Sequence, residues 1–186
     1  EWYASSGDYI YMGDGLAYTY PMFYDGVNRL LELDLKTGSV EVCEELELGY
    51  PLVYMEKLND KEFLYSTGTY VNTGEDVRRL SYYIYNVETK KSKLWKAYQF
   101  DRVTMEGNSS NHTRKSGDFL YFLSQIFNGM NDEGEIDQYQ RIEIYTMDGA
   151  LQNTIDIPEK VDHFIGPFGG RETIYYYHVF KDLFFF

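Results

Sequence analysis

The stretch Gly117-Asp118-Phe119-Leu120-Tyr121 places an aromatic–aliphatic–aromatic run directly after a polar turn. Similar runs are centred on Ile10, Leu64 and Ile174, so the central residues are separated by 54, 56 and 54 positions. Self-similarity at a fixed period of this size is the mark of a repeat architecture, in which each repeat is one supersecondary unit. The sequence therefore predicts stacked repeats rather than a single irregular domain.

Each period divides into four short strands separated by polar turns. In the second period the predicted strands are 52–55, 63–66, 82–86 and 93–96. Apolar residues alternate with a period of two rather than 3.6, which excludes helices. The run Tyr82-Tyr83-Ile84-Tyr85 is apolar on both faces, as a strand between two neighbouring sheets requires. We therefore predict an all-β fold of four-stranded antiparallel units, with approximate repeats 1–48, 49–99, 100–158 and a partial repeat 159–186.

These units resemble the TolB-like and related β-propeller repeats. The resemblance rests on residues 117–123 and 142–149, which give a polar turn, an aromatic-Leu-Tyr strand and an Ile-Tyr-x-x-Asp-Gly end. It extends over nearly the whole chain, although the second unit has Asn86-Val87-Glu88-Thr89 where Asp-Gly would lie. The resemblance implies β-propeller blades. Similar repeats are typical of surface lipoproteins of Gram-positive bacteria, which implies an extracytoplasmic or cell-surface location.

The number of blades is left open by the sequence. About 15 strands are predicted, which is three full units and a part of a fourth, whereas a propeller ring has at least four blades. Three arrangements are compatible with this count: a piece of a larger propeller, a compact four-bladed ring lacking one strand, or half a ring completed by a second copy. We favour the piece, because the final Leu183-Phe184-Phe185-Phe186 is an uncapped apolar strand and the chain begins at Glu1 without a Met. Any signal peptide or lipid-anchor cysteine would then lie upstream.

Composition restricts the classes of partner. The formal net charge is −13, a sign that repels phosphate backbones and anionic membrane surfaces. No run approaches the 18 apolar residues that a membrane-spanning helix needs. Aromatic residues make up 18% of the chain and include 20 Tyr, so their rings supply much of the predicted core. We expect neither nucleic-acid binding nor membrane insertion.

Signatures of nucleophilic or zinc chemistry are lacking in the sequence. Cys43 is the single cysteine, and acidic neighbours raise a thiol pKa, so a structural thiol is expected. No Gly-x-Ser-x-Gly motif occurs. His112, His163 and His178 are isolated and fit no metal-ligand spacing. We expect no catalytic residue and no cofactor.

Acidic residues provide the remaining chemical candidates. A weak calcium candidate consists of Asp132, Glu133, Glu135 and Asp137, although their spacing does not match an EF-hand loop. An acidic hairpin tip is the better interpretation. Paired carboxylates could hydrolyse glycosidic bonds, and the candidates ahead of predicted strands are Asp8, Asp60 and Asp118. Their ordinary role is to form turns.

Aromatic side chains are the most credible ligand-binding candidates. Rings can stack on sugars or on apolar peptide side chains at low entropic cost, and the residues concerned are Trp2, Tyr24, Tyr70, Trp95 and Tyr98. Packing between blades is the competing interpretation for Trp95. The predicted hairpin loops 14–27, 66–78 and 124–138 differ among the units, and variable loops on a rigid scaffold often carry recognition.

The hypothesis from sequence is a non-enzymatic binding or protein-interaction scaffold that recognises a peptide, glycan or partner protein through propeller loops. The alternative is the propeller portion of a hydrolase, either a prolyl-oligopeptidase-type gating domain or a propeller glycosidase. A third class is a structural protein whose chains associate through open blade edges. Propellers host many unrelated functions, so fold alone does not choose among the three.

Overall fold

The computed structural model describes residues 9–19, 28–46, 54–72 and 76–157. These residues form twelve β-strands: β1 (Tyr9–Gly13), β2 (Leu16–Thr19), β3 (Asn28–Asp34), β4 (Ser39–Leu46), β5 (Met55–Lys57), β6 (Glu62–Asn72), β7 (Asp76–Asn86), β8 (Lys91–Asp101), β9 (Glu106–Ser116), β10 (Phe119–Met130), β11 (Ile136–Thr146) and β12 (Leu151–Ile157). Across these ranges no helix is long and apolar enough to cross a membrane.

The strands pair in chain order as antiparallel meanders. β1–β4 form one four-stranded sheet, and β5–β12 form an eight-stranded sheet in sequential order. The eight-stranded sheet consists of two four-stranded halves, because β8 and β9 pair only at Phe100 with Gly107 and at Asp101 with Glu106. We call β1–β4 the first unit, β5–β8 the second unit and β9–β12 the third unit.

Short polar turns join the third and fourth strands of each unit. The Asp34 carboxylate accepts hydrogen bonds from the backbone N–H groups of Lys36 and Thr37. Asn86 does the same for Glu88 and Thr89. Asx side chains favour turns because they can bond to the backbone two or three residues ahead. Asn86 therefore makes the turn in the second unit without the Asp-Gly pair that the resemblance leads one to expect.

The first and second units pack face to face through aromatic and aliphatic side chains. This cluster contains Ile10, Met12, Tyr18, Leu30, Phe63, Tyr65 and Tyr85. The Tyr18 ring lies 4.9 Å from the Phe63 ring and 5.4 Å from the Tyr85 ring, measured between centroids. Cys43 is half buried against this cluster, and burial raises the pKa of its thiol, which fits a structural role.

The second and third units pack on each other through the opposite face of the second unit. This cluster contains Leu58, Leu64, Leu80, Tyr82, Tyr98, Leu120, Phe122 and Tyr145. The Tyr82 ring stands edge-on to the Phe122 ring at 5.0 Å. The second unit is thus apolar on both faces, as the Tyr82–Tyr85 run predicts. The three units stack as sheets, with one core between the first and second units and another between the second and third.

The strand order corrects one detail of the repeat. The runs centred on Ile10, Leu64 and Leu120 were expected to be equivalent, but β1 is the first strand of its unit whereas β6 and β10 are second strands. The equivalent residues are those that begin the second strand of each unit, namely Leu16, Glu62 and Phe119. They pair with the residues that end the third strand, Asp34, Asn86 and Thr146. First and second strands both alternate aromatic and aliphatic residues, so this pattern identifies a strand without fixing its place in the sheet.

The expected hairpin loops of the second and third units are largely strand. β6 and β7 run to Asn72 and from Asp76, so most of 66–78 is paired backbone. β10 and β11 likewise pair as far as Met130 and Ile136, within the expected loop 124–138. These segments are polar, and polarity favours a loop when only the sequence is considered. Their backbone groups nevertheless form hydrogen bonds to the neighbouring strand of each hairpin. Much of the expected loop 14–27 lies outside the described residues.

The prediction of an all-β fold with antiparallel four-stranded sheets is confirmed. The described residues contain three such units. The predicted partial repeat 159–186 lies outside the described residues, so the number of blades and the closure of a ring stay predictions.

Candidate functional site

A half-buried polar cluster lies between the second and third units. Lys96 and Tyr98 reach it from β8, Ser124 from β10, and Glu143 and Tyr145 from β11. We call these five residues the Glu143 cluster. The Lys96 and Glu143 side chains are 18% and 12% exposed, so both charges are largely removed from water. Removal from water is costly for an ion unless it is paired, which makes the partners of each charge decisive.

The Glu143 carboxylate accepts four hydrogen bonds. Lys96 Nζ donates to Oε1 at 3.0 Å, and Tyr145 donates to the same oxygen at 3.3 Å. Tyr98 donates to Oε2 at 2.5 Å, and Ser124 donates to Oε2 at 3.0 Å. A carboxylate offers about four lone-pair sites, so this set saturates it. Two of the donors come from the second unit and two from the third, so the cluster joins the units.

The Lys96 ammonium group lies between two phenol rings. Its Nζ is 4.7 Å from the centroid of the Tyr98 ring and 4.5 Å from that of the Tyr145 ring, and it also donates to the Tyr145 hydroxyl. Ring faces attract a desolvated cation through their quadrupole. Burial nevertheless lowers the pKa of Lys96, with the Glu143 hydrogen bond acting against it. The rings and Glu143 together offset part of the cost of burying the ammonium group.

The protonation of Glu143 is governed by the same contacts. Burial raises the pKa of this carboxyl, but the hydrogen bonds from Tyr98 and Lys96 outweigh burial and hold its pKa below the usual range. Burial and the Glu143 contacts raise the pKa of Tyr98 far above that of a free phenol, so Tyr98 stays a donor. A saturated carboxylate has no lone pair left to accept a proton from a substrate. The Lys96–Glu143 ion pair within this cluster therefore joins the second and third units.

Stability should fall in acid partly because of Glu143. The folded-state pKa lies below the unfolded value of about 4.3, so this carboxylate stabilises the fold above that pH and its contribution is lost as pH falls through the folded pKa. We expect the free-energy difference between the wild type and Glu143→Gln to shrink between about pH 6 and about pH 3. Urea unfolding at each pH measures it. A constant difference across this range would contradict the prediction.

Amide side chains occupy the paired extensions of β8–β11 beyond the second core. They form a group that we call the amide row: Gln99, Asn108, Gln125, Asn128, Gln138 and Gln140. Gln140 Nε2 donates to Gln125 Oε1 at 3.1 Å, and Gln125 Nε2 donates to Gln138 Oε1 at 3.3 Å. Asn108 Oδ1 accepts the Gln99 backbone N–H at 3.1 Å. Gln140, Gln125 and Gln138 thus form a hydrogen-bonded series across β10 and β11.

The outer members of the amide row retain bonding capacity. Gln99 and Asn128 are exposed, and Gln138 is half buried. The Gln138 Nε2 group has no hydrogen-bond partner among the described residues, because its carbonyl alone is engaged by Gln125. Arg79 donates to the side-chain carbonyl of Gln99 at 3.2 Å, and Gln99 is exposed. Gln138 lies on the same face of the sheet as Gln125 and Gln140, whereas Gln99, Asn108 and Asn128 lie on the opposite face. Gln138 is therefore the member of its face that can bond to a ligand.

The aromatic residues predicted to bind ligand are dispersed. Tyr98 is 1% exposed and belongs to the second core and the Glu143 cluster, so it presents no ring face to a ligand. Trp95 is half buried against Phe122 and Tyr145, at 5.2 and 5.0 Å between centroids. Tyr70 lies on β6, opposite Arg78. Trp2 and Tyr24 lie outside the described residues. The competing interpretation, packing between blades, describes the contacts of Trp95 and Tyr98.

The calcium candidate forms the tip of the β10–β11 hairpin. Asn131 Oδ1 accepts the backbone N–H groups of Glu133 and Glu135 at 3.0 and 2.8 Å, and Asn128 donates to Asp137 at 3.1 Å. Asp132 and the other acidic residues of the tip are exposed. Within the described ranges no group of three His, Cys, Asp or Glu side chains lies close enough to hold a metal ion.

The remaining sequence candidates lie at turns or outside the described residues. Asp60 forms an ion pair with Lys57 at 2.9 Å and is fully exposed in the turn before β6. Asp118 is exposed in the turn before β10. These positions fit the turn-forming role. Asp8, His163 and His178 lie outside the described residues, and His112 is placed on β9 by its backbone, opposite Leu123.

Neither the Glu143 cluster nor the amide row was identified from sequence. Glu143 stands between Ile142 and Ile144, and a charge inside an apolar run is a signal of a buried ion. Gln138 and Gln140 are spaced by two, which places both amides on one face of a strand. The glutamine signal becomes visible only after residues 136–140 are assigned to a strand instead of a loop.

No known protein family matches the sequence, and no curated protein matches it either. Among solved structures, the chain is similar to the oligogalacturonate lyase of Vibrio parahaemolyticus with a TM-score of 0.37 and 7% sequence identity. The similarity covers 88% of this chain and 67% of that one. The fold and the sites above accordingly rest on the strand pairing and contacts of this chain.

Proposed function

We propose that this protein is a non-enzymatic binding scaffold that recognises a neutral glycan through the amide row. The observation that carries the proposal is the hydrogen-bonded series of Gln140, Gln125 and Gln138 on one face of β10 and β11. A sugar hydroxyl both donates and accepts a hydrogen bond, and a carboxamide offers both functions in one group. A row of amides is therefore chemically matched to a run of hydroxyls.

Charge supports a neutral ligand over an anionic one. The chain carries a net charge of −13, which repels phosphate and carboxylate groups at long range but leaves a neutral glycan unaffected. Tyr70, a ligand-binding candidate from the sequence, lies by its backbone on β6, in the neighbouring extension of the same sheet. The resemblance to surface lipoprotein repeats supports an extracytoplasmic location as part of this proposal.

The scaffold is suited to recognition because its amides are fixed before binding. The paired strands hold the backbone, and the Gln140–Gln125–Gln138 series holds the side chains, so little conformational entropy is lost when a ligand is bound. The glycosidase form of the hydrolase alternative requires two carboxylates that reach the substrate. Glu143, the most buried carboxylate beside the row, has all of its acceptor sites occupied by this chain's own donors.

Substitution of Gln138 tests the proposal. The full chain is screened against immobilised neutral oligosaccharides, and the best binder is titrated with the wild type and with Gln138→Ala. We expect binding to weaken about fivefold, because one hydrogen bond of about 1 kcal/mol is lost. The matched control is Gln152→Ala, which removes an exposed amide from β12, outside the row.

The outcomes separate the two functions. Equal affinity for Gln138→Ala and the wild type, or no binding to any neutral glycan, would overturn the proposal. Chromatography of the bound oligosaccharide after incubation gives a further readout. Appearance of shorter products would support the hydrolase alternative in place of a binding scaffold.

A further inference from the structure

The outer face of the third unit is buried, although neither of the other two described units packs on it. On β10 and β11 the residues that face the second unit are Leu120, Phe122 and Tyr145. Leu123 and Ile142 pair with each other and point to the opposite face, because side chains alternate along a strand. They are 2% and 1% exposed, yet they belong to neither of the two cores. We call this opposite side the outer face.

The buried part of the outer face also includes amide side chains. Gln125 and Gln140 pair with each other two positions beyond Leu123 and Ile142, and they are 4% and 5% exposed. Neighbouring side chains shield a residue of a sheet from the side only. The face of a sheet is removed from water when a second layer packs on it. A further layer therefore covers at least these two cross-strand pairs.

The segment 158–186 is placed to supply this layer. β12 ends at Ile157, so the segment begins at the edge of the third unit. The other ranges outside the described residues all precede the third unit in the chain: 1–8, 20–27, 47–53 and 73–75. Adjacent strands lie about 4.8 Å apart, so β12 and β9 are separated by about 14 Å. An extended chain spans that distance in about five residues, and the segment is several times longer.

The composition of the segment suits an apolar cover. About half of its residues are aromatic or aliphatic, and they include Ile-Tyr-Tyr-Tyr at 174–177 and Leu-Phe-Phe-Phe at 183–186. Burying such residues against Leu123 and Ile142 removes two apolar surfaces from water at once. We propose that residues 158–186 pack as a further layer on the outer face of the third unit, over Leu123 and Ile142.

The edge of this cover lies beside Gln138. Gln125 and Gln140 are buried, whereas Gln138, two residues before Gln140 on the same face, is half buried. The segment therefore forms a wall beside the side chain that we assign to glycan binding. This consequence rests on the proposed function, whereas the packing of the segment does not.

Photo-cross-linking of the full chain tests the packing without any glycan. Tyr121 points to the outer face, opposite Ile144, and a photoreactive benzoylphenylalanine in its place keeps an aromatic ring there. After illumination we expect a cross-link within a chain of 21.9 kDa, which peptide mass mapping assigns to residues 158–186. The matched control places benzoylphenylalanine at Leu94 on β8, which is 53% exposed and should give no link to this segment.

The cross-link distinguishes the possible covers. A link between two chains, at twice the mass, would show that a second copy covers the face and would overturn the proposal. A link to another part of the same chain, or none at all, would also overturn it. Absence of glycan binding would leave the cross-link unchanged, so this proposal and the proposed function fail separately.

Two leucines on opposite faces of β10 provide a second test. Leu123→Ala removes contacts of the cover, whereas Leu120→Ala removes a side chain that is equally buried against the second unit. We expect trypsin to cleave after Arg171 about tenfold faster in Leu123→Ala than in Leu120→Ala, because cleavage requires local opening of the segment. Equal rates in the two variants would contradict the proposal, since opening would then be global. Circular dichroism checks that both variants are folded.

Discussion

Glu143→Ala should lower the free energy of unfolding by about 3 kcal/mol. The substitution leaves the Lys96 ammonium group 18% exposed without its counter-ion, and it removes the acceptor of the Tyr98 and Ser124 hydroxyls. Breaking a buried ion pair by removing one partner costs about 3–5 kcal/mol. The lower end applies here, because neither member of the pair is fully buried. Urea unfolding followed by circular dichroism measures the change.

The physical reason is tested by removing both charges. Lys96→Met/Glu143→Gln leaves no buried ion, and the glutamine carbonyl can still accept from Tyr98. We expect this double variant to lose only about 1 kcal/mol, since replacing both members of a buried pair is often close to neutral. The coupling energy from the double-mutant cycle isolates the pair. If the double variant is as unstable as Glu143→Ala, the loss comes from packing and not from an orphaned charge.

The same pair shows where prediction from sequence ends. Lys96 and Glu143 are 47 positions apart, on strands of different units. The sequence predicts that both lie on strands, but not that two sheets bring their side chains to 3.0 Å. Such a contact depends on how the second and third units stack, which is a long-range property. Only the anomaly of a charge between two isoleucines signals it in advance.

In contrast to the Lys96–Glu143 contact, the stacking of the sheets was predicted from the apolar residues of a single strand. The run Tyr82–Tyr85 contacts the first unit through Tyr85 and the third through Tyr82. Alternation of side chains on a strand fixes which residues face each way, so two apolar faces require two neighbours. This prediction depends only on the alternation of neighbouring residues along one strand, and the contacts of Tyr82 and Tyr85 confirm it.

The strand extensions escaped prediction because polarity does not distinguish a loop from a ribbon. Thr67 and Gln125 are polar, yet they are buried and lie within paired strands. The pairing of β6 with β7 and of β10 with β11 satisfies the backbone there, while the side chains bond to each other or to solvent. Four members of the amide row, Gln125, Asn128, Gln138 and Gln140, lie on the extension formed by β10 and β11. A site built on strands is held more rigidly than one on the loops that the sequence suggested.

Gly149→Ala should lower the free energy of unfolding by about 2–5 kcal/mol. Gly149 has a φ of +92°, and a Cβ added there would overlap the Trp95 indole. A left-handed conformation costs an L-residue about 1–2 kcal/mol, and overpacking adds about 1–3 kcal/mol. The turn of the third unit is thus pressed against an aromatic ring of the second unit, in the same core that the Glu143 cluster joins.

Gly117→Ala is the matched control, because it separates backbone strain from overlap. Gly117 has a φ of +57° in the β9–β10 turn, and nothing lies within 4 Å of an added Cβ. We expect this variant to lose only about 1–2 kcal/mol, from conformation alone. In a Trp95→Leu background the ring is absent, so the additional cost of alanine at position 149 should fall to that of position 117. An equal loss at both glycines in the Trp95 chain would show that the indole yields, and that the second and third units are not tightly packed at this turn.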